Sequence, residues 1–490
     1  MKKFLSGLRG KTLLIIFTTT AALMQTSCHP RINKGGGPPT NQVSNWINWN
    51  FVFKDGTDSA TRAATISSIT NQIRNVSSDT SKRNNQGANT AVAGIRYSPD
   101  ISNYLTSYLQ KIIKKGNGFS LNAVEAHFCS CHDSLLWNLT SDLSIGGSGQ
   151  SAPNSPPPPG PGPSGDAILT VDSNGAVTSP STLPPVIDYA GLFSINGNPE
   201  VVDTVVLGII DTGIDPGLFS TGVFHDVFAS GGIEPVNFVP TGPSTDFKDI
   251  DPVRHGSAVA AIALSSFYAA SVKDGRPRLP RLMALRALDG TGMGNTFSVS
   301  CAMSYAIRHR VKLINASLGY WNAQNNVIDH YLRLSATHHI PVVAAAGNEP
   351  GQHTQSLCDA GTNAHNLLRP GNMFYPACQS IDSQYCIISV TGLSSPEHPC
   401  RYQNYSSRYI SVGVVNKDTS NSCCGFSLSF INKNYQLDGS SFATPVISGE
   451  LGYRIMLKGR QSNPASYVDL LNTKKITHNF LTWNGQYITY

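Results

Sequence analysis

The stretch Val205–Asp215, VVLGIIDTGID, joins an uninterrupted apolar run to an acidic turn. Such a run predicts a strand that is buried on both faces, as in a parallel sheet covered by helices. Asp211 stands where this strand ends, and open α/β sheets bind their ligands at the carboxyl ends of strands. An aspartate at this position can also do no more than cap a turn. The stretch thus predicts the sheet and offers one candidate functional carboxylate.

Further strands of the same kind follow along the chain. The apolar runs Leu282–Leu288, Val311–Asn315 and Ile340–Ala346 predict buried strands, and Thr296–His309 predicts a helix between the first two. Strands that alternate with helices imply a parallel sheet with helices on both faces. We therefore expect an α/β domain over residues 185–490.

Three later segments carry side chains suited to catalysis. His255 precedes GSAVAAIA, whose small residues predict a closely packed helix. Ser441 lies in DGSSFATP at the expected amino end of another helix, where free N–H groups favour a developing negative charge. Pro445 is expected near the first turn of that helix, where a missing N–H costs least. Asn348 ends the strand-like AAAGN and could donate its side-chain amide. Each has a plain alternative, as a structural histidine, an N-cap serine or a turn asparagine.

The order Asp, His, Ser on a parallel sheet is one known arrangement of the serine triad. The segments GIIDTGID, GSSFATP, AAAGNE and NASLG together resemble motifs of the subtilisin-like serine peptidases, or subtilases, within residues 185–475. The resemblance implies that Asp211 orients the histidine, His255 is the general base, Ser441 is the nucleophile and Asn348 is an oxyanion donor. It also implies that two segments flank the bound peptide, namely Ser317, Leu318 and Gly319, and Ala345, Ala346 and Gly347.

The chain departs from the family pattern in several places. Where the family has HGTHVAG this chain has HGSAVAA, so Ala258 replaces a second histidine that lies outside the triad and Ala261 replaces a glycine. Tyr320 and Trp321 follow one substrate segment, where they either narrow a subsite or pack at the surface. Residues 356–435 are expected to be an elaboration tied by disulfides, because they hold Cys358, Cys378, Cys386, Cys400, Cys423 and Cys424.

Residues 1–28 are predicted to be a targeting segment. Basic residues precede an apolar stretch at 12–24 that is too short to span a bilayer comfortably. The segment ends in LMQTSC, which resembles a bacterial lipoprotein signal whose cysteine, here Cys28, is lipidated and becomes the mature N-terminus. The alternative is an ordinary cysteine beyond a normal cleavage site. We expect an exported protein, either lipid-anchored in the cell envelope through Cys28 or extracellular.

The segment between the signal and the α/β domain has three predicted parts. Residues 29–44 are a tether, and residues 45–147 form an α+β region with a strand at 45–53 and a helix starting at Ser98–Pro99. Residues 148–184 are a Pro/Gly-rich linker, with seven prolines between Pro153 and Pro163. Residues 45–147 are either a removable pro-segment or a permanent accessory domain.

Composition excludes some function classes. Charged residues make up 13% of the chain, the net charge is +6, and no dense Lys/Arg run occurs, which argues against a nucleic-acid partner. No metal-ligand set is evident and no cofactor is required, although calcium often stabilises this family and stays unplaced.

The expected function is an exported serine endopeptidase that hydrolyses polypeptide substrates through an acyl-enzyme. The alternative is a catalytically inactive subtilase fold that binds peptides or a surface. An esterase is disfavoured, because it typically uses G-x-S-x-G with the order Ser, Asp, His.

Overall fold

The computed structural model describes residues 46–53, 55–67, 119–129, 133–145, 168–173, 176–178, 199–219, 227–228, 235–239, 244–252, 254–321, 324–348, 373–400, 403–415, 425–430, 433–471, 473–475, 481–482 and 485–489. Contacts between residues divide the chain into two units, 1–171 and 172–490.

The first unit contains a four-stranded sheet in the order β2-β3-β1-β4. Its strands are β1 (Trp46–Phe53), β2 (Phe119–Cys129), β3 (Asp133–Ile145) and β4 (Ile168–Ser173). β1 confirms the strand predicted at 45–53, whereas the helix predicted from Ser98–Pro99 lies outside the described residues.

The structure differs from the sequence prediction in the second half of the linker. β4 and a short strand at 176–178 both fall within residues 148–184. The physical reason is local, because the proline run ends at Pro163 and ILTVDS and AVT beyond it are rich in strand-forming residues. The domain limits themselves stay a prediction.

The second unit is built on one large sheet. The described strands of this unit are β5 (Ala176–Thr178), β6 (Glu200–Asp211), β7 (Val236–Asn237), β8 (Arg278–Arg286), β9 (Met293–Asn295), β10 (Leu313–Ala316), β11 (Tyr320–Trp321), β12 (Val342–Ala345), β13 (Phe374–Tyr375), β14 (Ile387–Ser395), β15 (His398–Pro399), β16 (Val412–Val415), β17 (Gly425–Phe430), β18 (Lys433–Asp438), β19 (Lys474–Lys475) and β20 (Gln486–Thr489). Three pairs form separate two-stranded sheets, namely β5 with β9, β11 with β13 and β17 with β18. The main sheet has the order β19-β20-β16-β14-β12-β10-β6-β8-β7, and β15 pairs with β14.

The central pairings of this sheet are parallel. β6 lies between β8 and β10, and β12, β14 and β16 continue the parallel order outward. The strands predicted from the apolar runs are therefore confirmed, as is the parallel α/β class. The carboxyl ends of β6, β10 and β12 lie side by side, because Ile210 pairs with Ala316 and Ala316 with Ala344.

Helices cover both faces of the sheet. They are α1 (His255–Lys273), α2 (Thr296–Arg308), α3 (Asn326–Thr337), α4 (Ser440–Lys458) and α5 (Pro464–Leu470). α1 and α4 share a core with alternate strand residues such as Leu207 and Ile209. The buried side chains of α2 lie outside that core, and Val206 and Ile210, which point the other way, are also buried.

α1 and α4 cross at very short range. A side chain on Gly449 of α4 would collide with the carbonyl oxygen of Ala263, so a glycine is needed at the crossing. Ser266 Oγ of α1 also donates a hydrogen bond to the Val446 carbonyl at 2.6 Å. α1 is long and apolar enough to cross a membrane by length and composition, yet 78% of its most apolar part is buried inside the fold.

Candidate active site

Asp211 and His255 are brought together by the end of β6 and the start of α1. Asp211 is the last residue of β6 and His255 is the first residue of α1. His255 Nδ1 lies 2.7 Å from Asp211 Oδ1, and both side chains are buried. The same oxygen accepts the Thr212 N–H at 2.7 Å, so Asp211 caps its own turn as well as contacting the histidine.

The backbone around His255 is held from two sides. Arg254 adopts a left-handed conformation with φ 55°, which turns the chain into α1, and the His255 N–H donates to Asp251 Oδ2 at 3.0 Å. The Gly256 N–H donates to Thr212 Oγ1 at 2.9 Å. A side chain on Gly256 would collide with the carbonyl oxygen of Gly213, so this glycine lets the start of α1 touch the turn after β6.

The electrostatic surroundings favour a protonated His255. Burial lowers the pKa of His255, but the charge of Asp211 and its hydrogen bond raise the pKa, as do Asp251 and Asp249, and the net shift is upward. When the imidazole is neutral, a proton on Nδ1 satisfies Asp211 and leaves the lone pair on Nε2. Among the described residues Nε2 has no hydrogen-bond partner although it is buried. The ring thus presents a free basic nitrogen to the interior of the site.

Ser441 is the second residue of α4 and does not cap it. The N-cap residue is Gly439, with φ 133° and no side-chain cap. Ser441 Oγ donates to the Ser317 carbonyl at 3.2 Å. The ring of Phe442, the next residue, lies 5.2 Å from the ring of His255, so the start of α4 adjoins the histidine. The N-cap alternative for Ser441 is therefore wrong.

Pro445 lies deeper in α4 than the sequence predicts. The helix begins at Ser440, so Pro445 is in the second turn and cannot donate to the carbonyl of Ser441 four residues earlier. Ser317 supplies the missing donor, because its Oγ–H bonds the Ser441 carbonyl at 2.8 Å. Ser317 and Ser441 thus exchange two hydrogen bonds, each hydroxyl donating to the other residue's carbonyl.

Asn348 lies against the start of α4. Its Oδ1 accepts the Ser440 N–H at 3.0 Å, and its side chain is largely buried. With Oδ1 held in this way, the Nδ2 group is oriented as a donor beside Ser441. The position fits an amide that stabilises negative charge formed at the serine.

The match to a known family covers all four of these residues. The sequence model of the subtilase family matches residues 203–477, which is more than half of the chain. The chain belongs to the subtilase family.

This subtilase is also similar to two curated relatives at 24% identity. The Thermophilic serine proteinase of Bacillus sp. (strain AK1) matches over 284 residues, which are 58% of this chain and 59% of that protein. The Minor extracellular protease Epr of Bacillus subtilis (strain 168) matches over 172 residues, 34% of this chain and 24% of that protein. The chain thus spans less than two thirds of either relative.

The two predicted substrate segments of this subtilase lie at the ends of β10 and β12. Ser317 and Leu318 follow β10 directly, and Ala346 and Gly347 follow β12. The Phe374 ring fills the space between them, because a side chain on Gly319 would collide with it and one on Gly347 would lie 2.7 Å from it.

Tyr320 and Trp321 pack against the strand that contains Phe374. They form β11, which pairs with β13, the strand that contains Phe374. The rings of Trp321 and Phe374 are 5.0 Å apart, and those of Tyr320 and Tyr375 are 5.8 Å apart. Phe374, which belongs to no recognised motif, is thus an aromatic side chain that adjoins both segments.

Sequence reasoning also missed the carboxylates before His255. Asp249 and Asp251 are buried and bond the start of α1, but neither belongs to a motif that would have singled it out. Ala258, the replacement for the family's second histidine, is fully buried in the α1 core, as is Ala261. The loss of that histidine is therefore accommodated by apolar packing.

The remaining predicted sites have separate outcomes. Cys28, Cys358, Cys423 and Cys424 lie outside the described residues. Cys378 and Cys386 are buried free thiols, and burial raises the pKa of each to about 12, so the disulfide expectation finds no support in these two. Within the described ranges no three His, Cys, Asp or Glu side chains gather as a metal-ligand set, and calcium stays unplaced.

Proposed function

We propose that this subtilase is a serine endopeptidase that uses Asp211, His255 and Ser441. The observation that carries the proposal is the buried His255 imidazole, whose Nδ1 lies 2.7 Å from Asp211 Oδ1 while Nε2 is unpaired among the described residues. A neutral histidine held in this tautomer beside a serine at a helix start is the arrangement that base-assisted acyl transfer requires.

In the proposed first step, Ser441 Oγ attacks the carbonyl carbon of the scissile peptide bond. His255 Nε2 takes the hydroxyl proton, and Asp211 stabilises the imidazolium that forms. The Ser441 hydroxyl, which donates to the Ser317 carbonyl, first has to rotate toward Nε2. Catalytic hydrogen bonds are commonly made only when substrate is bound, so this rotation is consistent with the proposal.

In the proposed second step, the C–N bond breaks. The oxyanion of the tetrahedral intermediate accepts hydrogen bonds from the Asn348 amide and from the Ser441 N–H, and one such donor is worth roughly 3 kcal/mol in comparable sites. His255 returns its proton to the leaving amine, and water hydrolyses the acyl-enzyme by the same route. The chain segments 317–319 and 345–347 are proposed to flank the peptide.

Peptide hydrolysis tests the proposal directly. Release of p-nitroaniline from peptide substrates by the wild type should fall to background in Ser441→Ala, and a fluorophosphonate should label the wild type alone. Ser440→Ala is a matched control. The Ser440 hydroxyl belongs to the residue next to Ser441, has no hydrogen-bond partner among the described residues and is not assigned a role. A folded wild type that neither cleaves nor becomes labelled would favour the peptide- or surface-binding alternative, and equal rates for wild type and Ser441→Ala would remove the serine assignment.

We also propose that the protein is exported. The segment pattern of residues 1–28 supports this, as does the word "extracellular" in the name of one relative. Sequencing the mature N-terminus would separate the alternatives. A start at a lipid-modified Cys28 indicates an anchored protein, a start near residue 148 or later indicates that residues 45–147 are a removed pro-segment, and an unmodified start just after the signal indicates a retained accessory domain.

A further inference from the structure

Asp249 is a buried carboxylate whose oxygens are fully used as acceptors. Its exposed fraction is 0%. Oδ1 accepts the Thr212 hydroxyl at 3.0 Å and the Asp251 N–H at 3.1 Å. Oδ2 accepts both the N–H and the hydroxyl of Ser257, at 2.9 and 2.8 Å. Four donors converge on one carboxylate, which only its ionised form can accept together.

These donors connect the two sides of the Asp211–His255 pair. Thr212 follows Asp211 in the chain, and its hydroxyl accepts the Gly256 N–H at 2.9 Å while donating to Asp249. The other side is α1, where the first turn after His255 contributes both Ser257 donors. Asp249 is therefore bonded to the residue after the carboxylate and to the helix turn after the base.

No cation hydrogen-bonds to Asp249 in the described part of the chain to offset its charge. Lys248 and Arg254, which lie close to Asp249 in the chain, are 3.9 and 3.7 Å from Asp215. The charged or titratable groups whose fields couple to Asp249 from the packed elements are Asp211, Asp251, His255 and Arg286. His255 and Arg286 favour the charge on Asp249, whereas burial and the two neighbouring carboxylates oppose it.

Burial, opposed by the hydrogen bonds from Ser257, raises the pKa of Asp249 from 3.8 to about 6, with Asp211 and Asp251 adding to the rise. A group whose folded pKa is raised stabilises the fold fully below its unfolded value and loses that contribution as the pH rises through about 6. The ionised carboxylate thus lowers stability at neutral pH. Groups that a fold retains at such a cost are concentrated at functional sites.

We propose that Asp249 is a positioning residue, whose carboxylate holds the turn after Asp211 and the first turn of α1 in register so that His255 meets Ser441 correctly. This inference rests on the proposed peptidase function. Asp249 touches no reacting atom and acts through Thr212, Gly256 and Ser257. A misplacement of the base by about 1 Å can lower the rate by as much as 10²-fold.

The test compares Asp249→Asn with Asp329→Asn in the full chain. Asp329 of α3 is also a buried carboxylate, bonded to Arg333, Tyr385 and Gln379, and it does not hydrogen-bond the residues of the proposed triad. Asp249→Asn should lower kcat by at least tenfold with KM little changed, whereas Asp329→Asn should alter the thermal midpoint and leave kcat unchanged.

The pH profile supplies a readout that a structural role would not move. Below the raised pKa of His255 the wild-type log(kcat/KM) should fall with a slope of about one, and near pH 6, where Asp249 also takes a proton, the slope should become steeper than one. In Asp249→Asn the slope should stay near one throughout, because a single group remains to be titrated.

A second pair of variants decides the matter if Asp249→Asn does not fold. Thr212→Val keeps the side-chain shape without the hydroxyl and should lower kcat in the same way, and Thr212→Ser should restore it. The proposal is overturned if the wild type cleaves through Ser441 while Asp249→Asn keeps the wild-type kcat and slope, or if Thr212→Val is as active as Thr212→Ser. If instead the wild type itself is inactive, the peptidase proposal fails and not the role of Asp249 alone.

Discussion

The proposed base and the proposed nucleophile of the candidate site are held by different means. On the base side, which comprises Asp211, Thr212, Asp249, Asp251 and His255, side-chain oxygens accept backbone N–H and hydroxyl groups from three chain segments. On the nucleophile side, which comprises Ser317, Asn348, Ser440 and Ser441, the positions are set by a helix start and by neutral hydrogen bonds.

The two sides also differ in their ionisable groups. The base side contains three buried carboxylates, so its properties depend on protonation, whereas the nucleophile side contains no ionisable group among the four residues that define it. Substitutions on the base side should therefore alter the pH dependence of activity. Substitutions on the nucleophile side should lower the rate and leave the pH dependence in place.

The largest expected effect is that of Asp211→Asn. Because the asparagine amide no longer favours a proton on Nδ1 of His255, kcat should fall by roughly 10⁴-fold, as when a serine triad loses its orienting carboxylate. The measurement is kcat for a peptide p-nitroanilide as a function of pH. Asp215→Asn, four residues away, is the matched control. Asp215 contacts Arg254, Lys248 and the Gly217 N–H instead, and its substitution should change kcat by less than about tenfold.

A comparable loss in the two aspartate variants would show that the turn as a whole, and not the Asp211 carboxylate, supports the base. The proposal that the base side depends on the charge of its carboxylates would then fail.

The next effect in size is that of Asn348→Ala. Removal of one oxyanion donor should lower kcat by about 10²- to 10³-fold while the acidic limb of the pH profile stays where it is in the wild type. Asn463→Ala is the control, because Asn463 also accepts an N–H at a helix start, that of Ser466 at 2.8 Å, but at α5. That control should lower the free energy of unfolding by about 1 kcal/mol and leave kcat unchanged. A shifted acidic limb in Asn348→Ala would contradict the expectation that substitutions on the nucleophile side leave the pH dependence of activity unchanged.

The smallest effect is expected for Ser317→Ala. The Ser441 carbonyl, which Pro445 cannot serve, would lose its donor, and the free energy of unfolding should fall by about 1 to 3 kcal/mol with a loss of activity of up to about tenfold. The added change Pro445→Ala supplies an N–H to the same carbonyl. Chemical denaturation of both variants checks the account, since a double variant no more stable than Ser317→Ala would argue against it.

The features predicted from sequence are those with local signals. The apolar runs predicted β6, β8, β10 and β12, because a strand buried on both faces has a nearly continuous apolar sequence that is visible without knowledge of its neighbours in the sheet. Asp211 and His255 were selected from short motifs, and the structure brings their side chains together at 2.7 Å. The catalytic roles of these residues stay proposals.

The features that escaped prediction depend on residues far apart in the chain or on single-residue boundaries. Asp249 bonds Thr212 across 37 positions, and nothing in its own segment indicates that contact. The depth of Pro445 depends on whether α4 begins at Ser440 or a few residues later, a margin within which sequence reasoning does not locate helix ends. Phe374 lies against Gly319 and Gly347, which precede it by 55 and 27 positions in the chain.

At Gly449 the helix that carries Ser441 rests on the backbone of the helix that begins at His255. The spacing of the proposed base and the proposed nucleophile therefore depends on how closely α1 and α4 pack at this crossing. A larger residue at position 449 should push the two helices apart and so separate the two groups, although position 449 lies eight residues along the chain from Ser441.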